Sequence, residues 1–304
     1  MTPAHRPFQL PFPRVELIGI WFLVTALLSS ASGAAELPDL ATVPPDLVVP
    51  EVVVRTPQAG RRVRQTTAGW ADTAVYHALY LPTDWRPGAR YPVIVEYAGN
   101  GGYKNTFGDV SDGTVDGSRL GYGLTAGKGA IWICLPFVEE DVAGKRNATK
   151  WWGDVEETKR YCRATVNAVC AAFGGDSRRV VLAGFSRGAI ACNFIGLHDD
   201  TMASLWCAFF CHSHYDGVKE TWPYAGADRS SAAVRLRRLN DRPQWICHEV
   251  SVGPTQDYLR GTGVTGAFTF QTLNFHNHSD QWVLRDIPER RAARRWLDNV
   301  FTTP

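Results

Sequence analysis

The feature that most constrains this chain is a serine placed between two glycines at the end of an apolar run. The run covers residues 180–185, Ser186 follows it, and a small-residue, helix-compatible segment begins at Arg187. The pattern Gly184-x-Ser186-x-Gly188 predicts a strand, a sharp turn and a helix, with the serine hydroxyl clear of the sheet. Glycines flank the turn because larger side chains would clash there. A purely structural Gly-Ser turn fits the same residues, so the rest of the chain must decide.

Strand-like and helix-like segments alternate along the chain. The other apolar, strand-like segments are residues 91–97, 130–138, 205–211, 243–252 and 268–275. The segments with helical periodicity are residues 154–173, 230–239 and 288–300. This alternation predicts a three-layer α/β sandwich, a mostly parallel sheet with helices on both faces. Ligands of such folds bind at the carboxyl ends of the strands, where the glycine-rich and aromatic loops of this chain fall.

The first residues have the pattern of an export signal. Arg6 and Arg14 precede an apolar run at residues 17–28, and small residues follow as far as Ala35. This predicts a signal peptide over residues 1–34, cleaved after Ala34, and a secreted or periplasmic protein without stable membrane insertion. An uncleaved anchor is the alternative, although the run is short for a membrane span. We expect a Pro- and Val-rich arm over residues 35–65 and the α/β domain over residues 66–304.

Charge and cysteine usage exclude several classes of function. The chain has 32 basic and 30 acidic residues, a formal net charge of +2, so no nucleic-acid partner is expected. Its seven cysteines contain no C-x-x-C motif, and we expect no metal or cofactor. His212, His214 and Asp216 follow one strand and are the alternative metal set, provided that strand geometry continues through them.

The order of these parts resembles the α/β-hydrolase family, in particular secreted serine esterases of the acetylxylan, feruloyl or polyester-depolymerase kind. The resemblance rests on the Ser186 pentapeptide, on the turn at residues 98–102 and on histidines after the last strand, and it spans residues 73–300. It implies that Ser186 is the nucleophile of an α/β-hydrolase catalytic domain. It also implies that the backbone N–H groups of Arg187 and Asn100 form the oxyanion hole.

The resemblance places the general base late in the chain and the acid after the penultimate strand. His278 and His276 both qualify as base, and His278 is chosen because it lies deeper in its loop. Asp257 is the expected acid, and Asp216 is the alternative. Two carboxylates are less favoured candidates for the acid, Glu249 and Asp280.

These residues predict an enzyme that cleaves carboxylic esters through an acyl-serine intermediate. The resemblance implies that the substrates are acyl groups on polysaccharides or small esters. A serine peptidase or lipase on the same fold and a non-catalytic binding protein remain alternatives. Loop aromatics are candidates to line the substrate pocket: Tyr103, Phe107, Tyr122, Trp151, Trp152, Trp222 and Tyr224.

Overall fold

A nine-stranded, mostly parallel sheet organises the part of the chain that the structure, a computed structural model, describes, namely Met1 and residues 36–302. Its strands, in spatial order, are β1 (Val52–Val53), β2 (Arg62–Gln65), β3 (His77–Tyr80), β7 (Ile131–Leu135), β4 (Tyr91–Tyr97), β10 (Gly175–Phe185), β11 (Ala208–His212), β12 (Gln244–Glu249) and β13 (Phe268–Leu273). Only the β2–β3 and β3–β7 pairs are antiparallel. Two hairpins lie outside this sheet, β5 (Tyr103–Lys104) with β6 (Val110–Ser111) and β8 (Phe137–Asp141) with β9 (Gly144–Ala148).

Helices cover both faces of the sheet and confirm the predicted three-layer sandwich. They are α1 (Leu120–Thr125), α2 (Val155–Phe173), α3 (Arg187–Phe194), α4 (Asp200–Ala203), α5 (Arg229–Leu236), α6 (Gly253–Thr262) and α7 (Pro288–Thr302). Successive strand residues point to opposite faces. In β10, Val180 and Leu182 join one buried cluster with α2 and α3, whereas Val181 and Ala183 join the other with α1 and α7.

Residues 37–65 are part of this architecture. The signal peptide predicted over residues 1–34 lies outside the described residues. The arm expected over residues 35–65 contributes β1 and β2 to the sheet, and the compact unit begins at Leu37. Among residues 36–302, no helix has the length and hydropathy needed to cross a bilayer.

Helix α1 forms within residues 104–128, a glycine-dense stretch whose composition is typical of a loop. Glu96, fully buried at the end of β4, accepts hydrogen bonds from the N–H groups of Arg119, Leu120 and Gly121 and from the indole of Trp132. A carboxylate at a helix N-terminus satisfies N–H groups that have no intrahelical partner. The acceptor comes from a distant strand, so local propensity does not reveal the helix.

A buried histidine gives the fold a testable dependence on pH. His77 of β3 bonds Tyr161 of α2 through Nδ1 (2.8 Å), and burial lowers the pKa of His77 to about 3. The unfolded chain, with a pKa near 6.5, therefore binds more protons than the folded chain between about pH 3 and pH 6.5. Stability from this group is complete above pH 6.5 and falls by at most about 1.4 kcal/mol per pH unit below it.

His77→Asn keeps a polar atom near the Nδ1 position but does not titrate. We expect the free energy of unfolding of wild type to approach that of the variant as the pH is lowered from 7 to 5. Urea unfolding at each pH measures the difference. A difference that stays constant across this range contradicts a neutral, buried His77.

Candidate active site

Ser186 stands on a strained turn between β10 and α3. Its backbone has φ 53° and ψ −114°, a conformation that non-glycine residues rarely adopt. Its N–H donates to the carbonyl of His212 at the end of the neighbouring strand β11 (2.9 Å). A Cβ on Gly184 would lie 2.0 Å from the carbonyl oxygen of Gly188, and one on Gly188 would lie 1.9 Å from that of Tyr97. Both glycines are therefore required by close backbone contacts, as the motif predicts.

The structure places His278, rather than His276, against the serine. His278 follows β13, and its Nε2 lies 3.1 Å from Oγ of Ser186. The ring packs between Tyr103 (centroids 4.8 Å apart) and Phe185 (4.9 Å). His276 instead stacks on Phe107 at 3.7 Å. A nucleophile and base within hydrogen-bond reach are the geometry that activates a serine.

The carboxylate behind His278 belongs to Glu249. Its Oε1 lies 2.5 Å from Nδ1 of His278, and it also accepts from the hydroxyl of Ser213 (2.8 Å). Burial by itself raises the pKa of Glu249, but the hydrogen bond and charge of His278 outweigh it and hold that pKa well below its usual range. Glu249 is therefore ionised at neutral pH and can fix the imidazole with its proton on Nδ1.

The structure thus corrects the expected acid. Asp257 lies within α6, its side chain is 70% exposed, and it pairs with Arg260. Asp216 is buried in an ion pair with Arg235 (2.8 Å) and accepts from Tyr224 (3.0 Å). The expected and observed acids differ because strand β12 ends earlier than the sequence indicates.

Strand β12 ends at Glu249, three residues before the end expected from the sequence. Glu249 is therefore the last residue of the penultimate strand, and a shorter expected strand would have indicated it. Asp280, the other less favoured candidate, pairs with Arg119 (2.7 Å).

Buried polar contacts anchor the loop that carries His278. Asp109, between β5 and β6, accepts from the backbone N–H of His278 (3.0 Å) and from the side-chain amide of Asn277 (3.1 Å). Asn277 in turn accepts from the N–H of Leu40 (2.6 Å), and the N–H of His276 donates to Pro38 (3.4 Å). The loop is therefore clamped between the β5–β6 hairpin and the chain that leads into β1.

Removing the Asp109 clamp should impair catalysis without removing any reacting group. In Asp109→Ala, the N–H of His278 loses its acceptor, and we expect kcat to fall roughly 10- to 100-fold because small displacements of catalytic groups are that costly. Asp116→Ala is the control, because this exposed carboxylate contacts Tyr76 and not the loop. Steady-state kinetics and thermal unfolding of both variants make the test. Unchanged kcat in Asp109→Ala contradicts the positioning role.

The turns that carry the expected oxyanion residues, Arg187 and Asn100, are in contact. Arg187 is the first residue of α3, where helix geometry leaves the N–H without an intrahelical acceptor. Its guanidinium donates to the carbonyl of Ala98 (3.4 Å), in the turn that contains Asn100. The side-chain oxygen of Asn100 accepts from the N–H of Trp151 (2.8 Å). Both residues expected to supply N–H donors thus come from the two turns that meet at Ser186.

The side chain of Arg187 is buried and bonds the loops that surround it. It is 1% exposed, and besides Ala98 it donates to the carbonyls of Trp151 (2.8 Å) and Gly113 (3.3 Å). It also lies 4.2 Å from the ring centre of Phe137. Burial lowers the pKa of Arg187 to about 9, which leaves it charged at neutral pH. One buried cation, on the residue that follows Ser186, therefore joins three loops.

Aromatic rings form a connected rim beside His278. Trp151, which has a positive φ of 49°, contacts Trp222 (centroids 5.4 Å apart), and Trp222 contacts His214 (5.3 Å). His214 in turn contacts the ring of His278 (centroids 5.1 Å apart). Of the other candidate pocket residues, Trp152 and Tyr224 pack with Phe194, and Tyr122 packs on Tyr80 and Trp132.

The three side chains of the alternative metal set, His212, His214 and Asp216, do not meet at one position. His212 bonds the carbonyl of Ser279 (3.0 Å), His214 lies in the aromatic rim, and Asp216 pairs with Arg235. Among residues 36–302, no three His, Cys, Asp or Glu side chains share a position that could hold a metal ion.

Comparison with known proteins shows the fold. No protein-family model and no curated protein matches the chain. An esterase from Rhizomucor miehei matches with 12% identity and a TM-score of 0.53, over 81% of this chain and 84% of that one. Esterase 2 from Thermogutta terrifontis matches with 14% identity and a TM-score of 0.53, over 83% and 100%.

A dipeptidyl peptidase also matches. Dipeptidyl peptidase 4 from Porphyromonas gingivalis is 14% identical, with a TM-score of 0.51, over 81% of this chain, which spans only 36% of the peptidase. At such identities the matches establish the α/β-hydrolase fold and nothing finer.

Proposed function

We propose that this chain is an exported serine hydrolase that cleaves carboxylic esters through an acyl intermediate on Ser186. The observation that carries the proposal is the continuous contact from Oγ of Ser186 through both nitrogens of His278 to Glu249, at 3.1 and 2.5 Å. A strained turn that exposes the serine, a base in reach and a buried acid behind the base are the parts that nucleophilic catalysis requires.

Each of these groups has a role in one step of the proposed reaction. Glu249 accepts a hydrogen bond from Nδ1–H of His278, so Nε2 is unprotonated and takes the proton of Ser186 as Oγ attacks the ester carbonyl. The N–H groups of Arg187 and Asn100 would stabilise the oxyanion, a contribution of about 3 kcal/mol per donor in comparable sites. His278 then protonates the departing alcohol oxygen, and water, activated by the same base, releases the acid.

The substrates that we propose are a narrower class than the α/β-hydrolase fold alone would indicate. We propose acyl groups on polysaccharides or small esters as substrates, in keeping with the esterases among the matching folds. A dipeptidyl peptidase also shares the fold, which makes amide hydrolysis the alternative to be tested. Export rests on the amino-terminal pattern of Arg6, Arg14 and the apolar run that follows.

A matched pair of substrates tests the reaction type. 4-Nitrophenyl acetate and 4-nitroacetanilide carry the same acyl group and differ only in the bond that is cleaved. We expect hydrolysis of the ester with saturation kinetics, and a kcat/KM for the anilide lower by at least about 10³. A comparable rate on the anilide favours a peptidase. No turnover of any acyl ester contradicts the proposal and leaves a non-catalytic binding protein.

A further inference from the structure

Ser213, the residue that directly follows β11, is held in a backbone conformation that serine seldom adopts. Its φ is 87°, in the region where glycine meets no steric penalty. Its N–H donates to the carbonyl of Cys247 on the neighbouring strand β12 (2.7 Å), and the residue is 1% exposed. Residues in strained conformations cluster at functional sites. A serine therefore stands at a buried position where glycine would suit the backbone better.

The hydroxyl of Ser213 contacts both groups that act behind the nucleophile. Its Oγ lies 2.8 Å from Oε1 of Glu249 and 2.8 Å from Nδ1 of His278. An ionised carboxylate can only accept hydrogen bonds, so the hydroxyl donates to Oε1 and its lone pairs face Nδ1–H. The Nδ1–H group of His278 therefore lies between two acceptors, Oε1 at 2.5 Å and Oγ at 2.8 Å.

The carboxylate of Glu249 is oriented through one of its two oxygens. Oε1 accepts from the Ser213 hydroxyl and from His278. Oε2 is buried and has no hydrogen-bond partner among residues 36–302, and Nδ1 of His248 lies 3.7 Å from it, beyond hydrogen-bond distance. In this part of the chain, Ser213 is thus the one donor other than the base itself that can fix the direction of the carboxylate.

Ser213 also lies between Nδ1 of His278 and a cavity of about 380 Å³. Ser213 and Glu249 line this cavity, whereas His278 does not. The cavity reaches the surface at Val250, which is 61% exposed. Electrostatic interactions weaken when water enters, because the local dielectric constant rises. Loss of the Ser213 hydroxyl would therefore let solvent approach the contact between His278 and Glu249.

We propose that Ser213 is a positioning residue, whose hydroxyl fixes Oε1 of Glu249 against Nδ1 of His278 and shields that contact from the cavity. The proposal rests on the ester hydrolysis proposed above. Ser213 acts on the base and its acid and not on the bound ester, so its loss should lower kcat and leave KM unchanged.

Two variants separate the effect of the hydroxyl from that of the backbone. Ser213→Ala removes the hydroxyl at the same φ, and Ser213→Gly removes it while relieving the backbone. Both should lower kcat for 4-nitrophenyl acetate roughly 10- to 100-fold, as expected when a charged group loses a hydrogen bond, with KM within about twofold. An unchanged kcat in either variant contradicts the proposal.

Asn240→Gly is the matched control for the backbone change. Asn240 also has a positive φ, 49°, and its side chain is exposed. Its kcat should equal that of wild type. A loss in Asn240→Gly as large as that in Ser213→Gly would mean that the backbone change, and not the hydroxyl, causes the effect.

A double-mutant cycle tests whether Ser213 acts through the acid. If it does, Ser213→Gly added to Glu249→Gln should lower kcat by less than about threefold beyond Glu249→Gln alone, because groups that act as a unit are not additive. Additive losses in the double variant contradict action through Glu249.

Hydrogen exchange at Nδ1 separates this proposal from the proposed reaction, because it needs no turnover. ¹⁵N NMR of the free, histidine-labelled protein at neutral pH should find the proton on Nδ1 of His278, assigned by its absence in His278→Ala. Ser213→Gly should speed its exchange with water at least about tenfold, because the shield towards the cavity is lost. This result in a chain that hydrolyses no ester supports the positioning role and rejects the reaction. Ester hydrolysis with unchanged kcat and unchanged exchange in Ser213→Gly rejects the role of Ser213 alone.

Discussion

Replacing Ser186 by alanine is expected to lower kcat for ester hydrolysis by about 10⁶, the loss seen when the nucleophile of a serine hydrolase is removed. The hydroxyl is within 3.1 Å of Nε2 of His278, the nitrogen that takes its proton in the proposed reaction. Alanine meets the same backbone demand as serine at φ 53°, so the fold should be unchanged. The measurement is kcat with 4-nitrophenyl acetate, together with thermal unfolding.

Ser204→Ala is the matched control for this change. Ser204 is exposed, and its hydroxyl bonds only the local carbonyl of Thr201 (2.9 Å). Its kcat should equal that of wild type. If Ser186→Ala retains more than about 1% of activity in a preparation free of wild type, Ser186 is not the nucleophile.

Glu249→Gln is expected to lower kcat by about 10⁴, because an amide in this position can donate to Nδ1 and force the imidazole into the wrong tautomer. Oε1 of Glu249 is the atom in contact with Nδ1 of His278 (2.5 Å). KM should change little, because the carboxylate acts on the base and not on the bound ester. The low pKa of Glu249 also predicts that the stability it contributes is present above about pH 4.5 and is lost as the pH falls below that value.

Asp257→Asn is the comparison that decides between the two acids. It makes the same carboxylate-to-amide change on an exposed side chain paired with Arg260, where ion pairs contribute little. Its kcat should stay within about twofold of wild type. A large loss in Asp257→Asn together with a mild one in Glu249→Gln would restore Asp257 as the acid and contradict the arrangement in the structure.

The sequence anticipated the parts of the site that are set by local rules. The spacing of Gly184, Ser186 and Gly188 follows from backbone contacts across a tight turn, and strand periodicity places that turn at the carboxyl edge of a parallel sheet. His278 was selected because it lies deep in the loop after the last strand, and the structure brings it to Ser186.

Contacts between segments that are distant in the sequence could not be predicted from such local rules. Apolar residues continue to Val252, so nothing local marks Glu249 as the end of strand pairing or as the acid. Asp109 and Leu40 hold the histidine loop from separations of 169 and 237 residues. The Arg187 side chain is buried and donates to three backbone carbonyls, none of them close to it in sequence. Such roles depend on register and burial, which the sequence does not specify locally.

Covalent labelling tests most directly whether Ser186 is an activated nucleophile. Purified protein is treated with a fluorophosphonate, digested, and mapped by peptide mass, with Ser186→Ala and His278→Ala treated in parallel. We expect one adduct per chain on the peptide that contains Ser186, no adduct in Ser186→Ala, and labelling slowed by orders of magnitude in His278→Ala. Absence of an adduct in wild type, or equal labelling of the Ser186→Ala protein, would contradict the account.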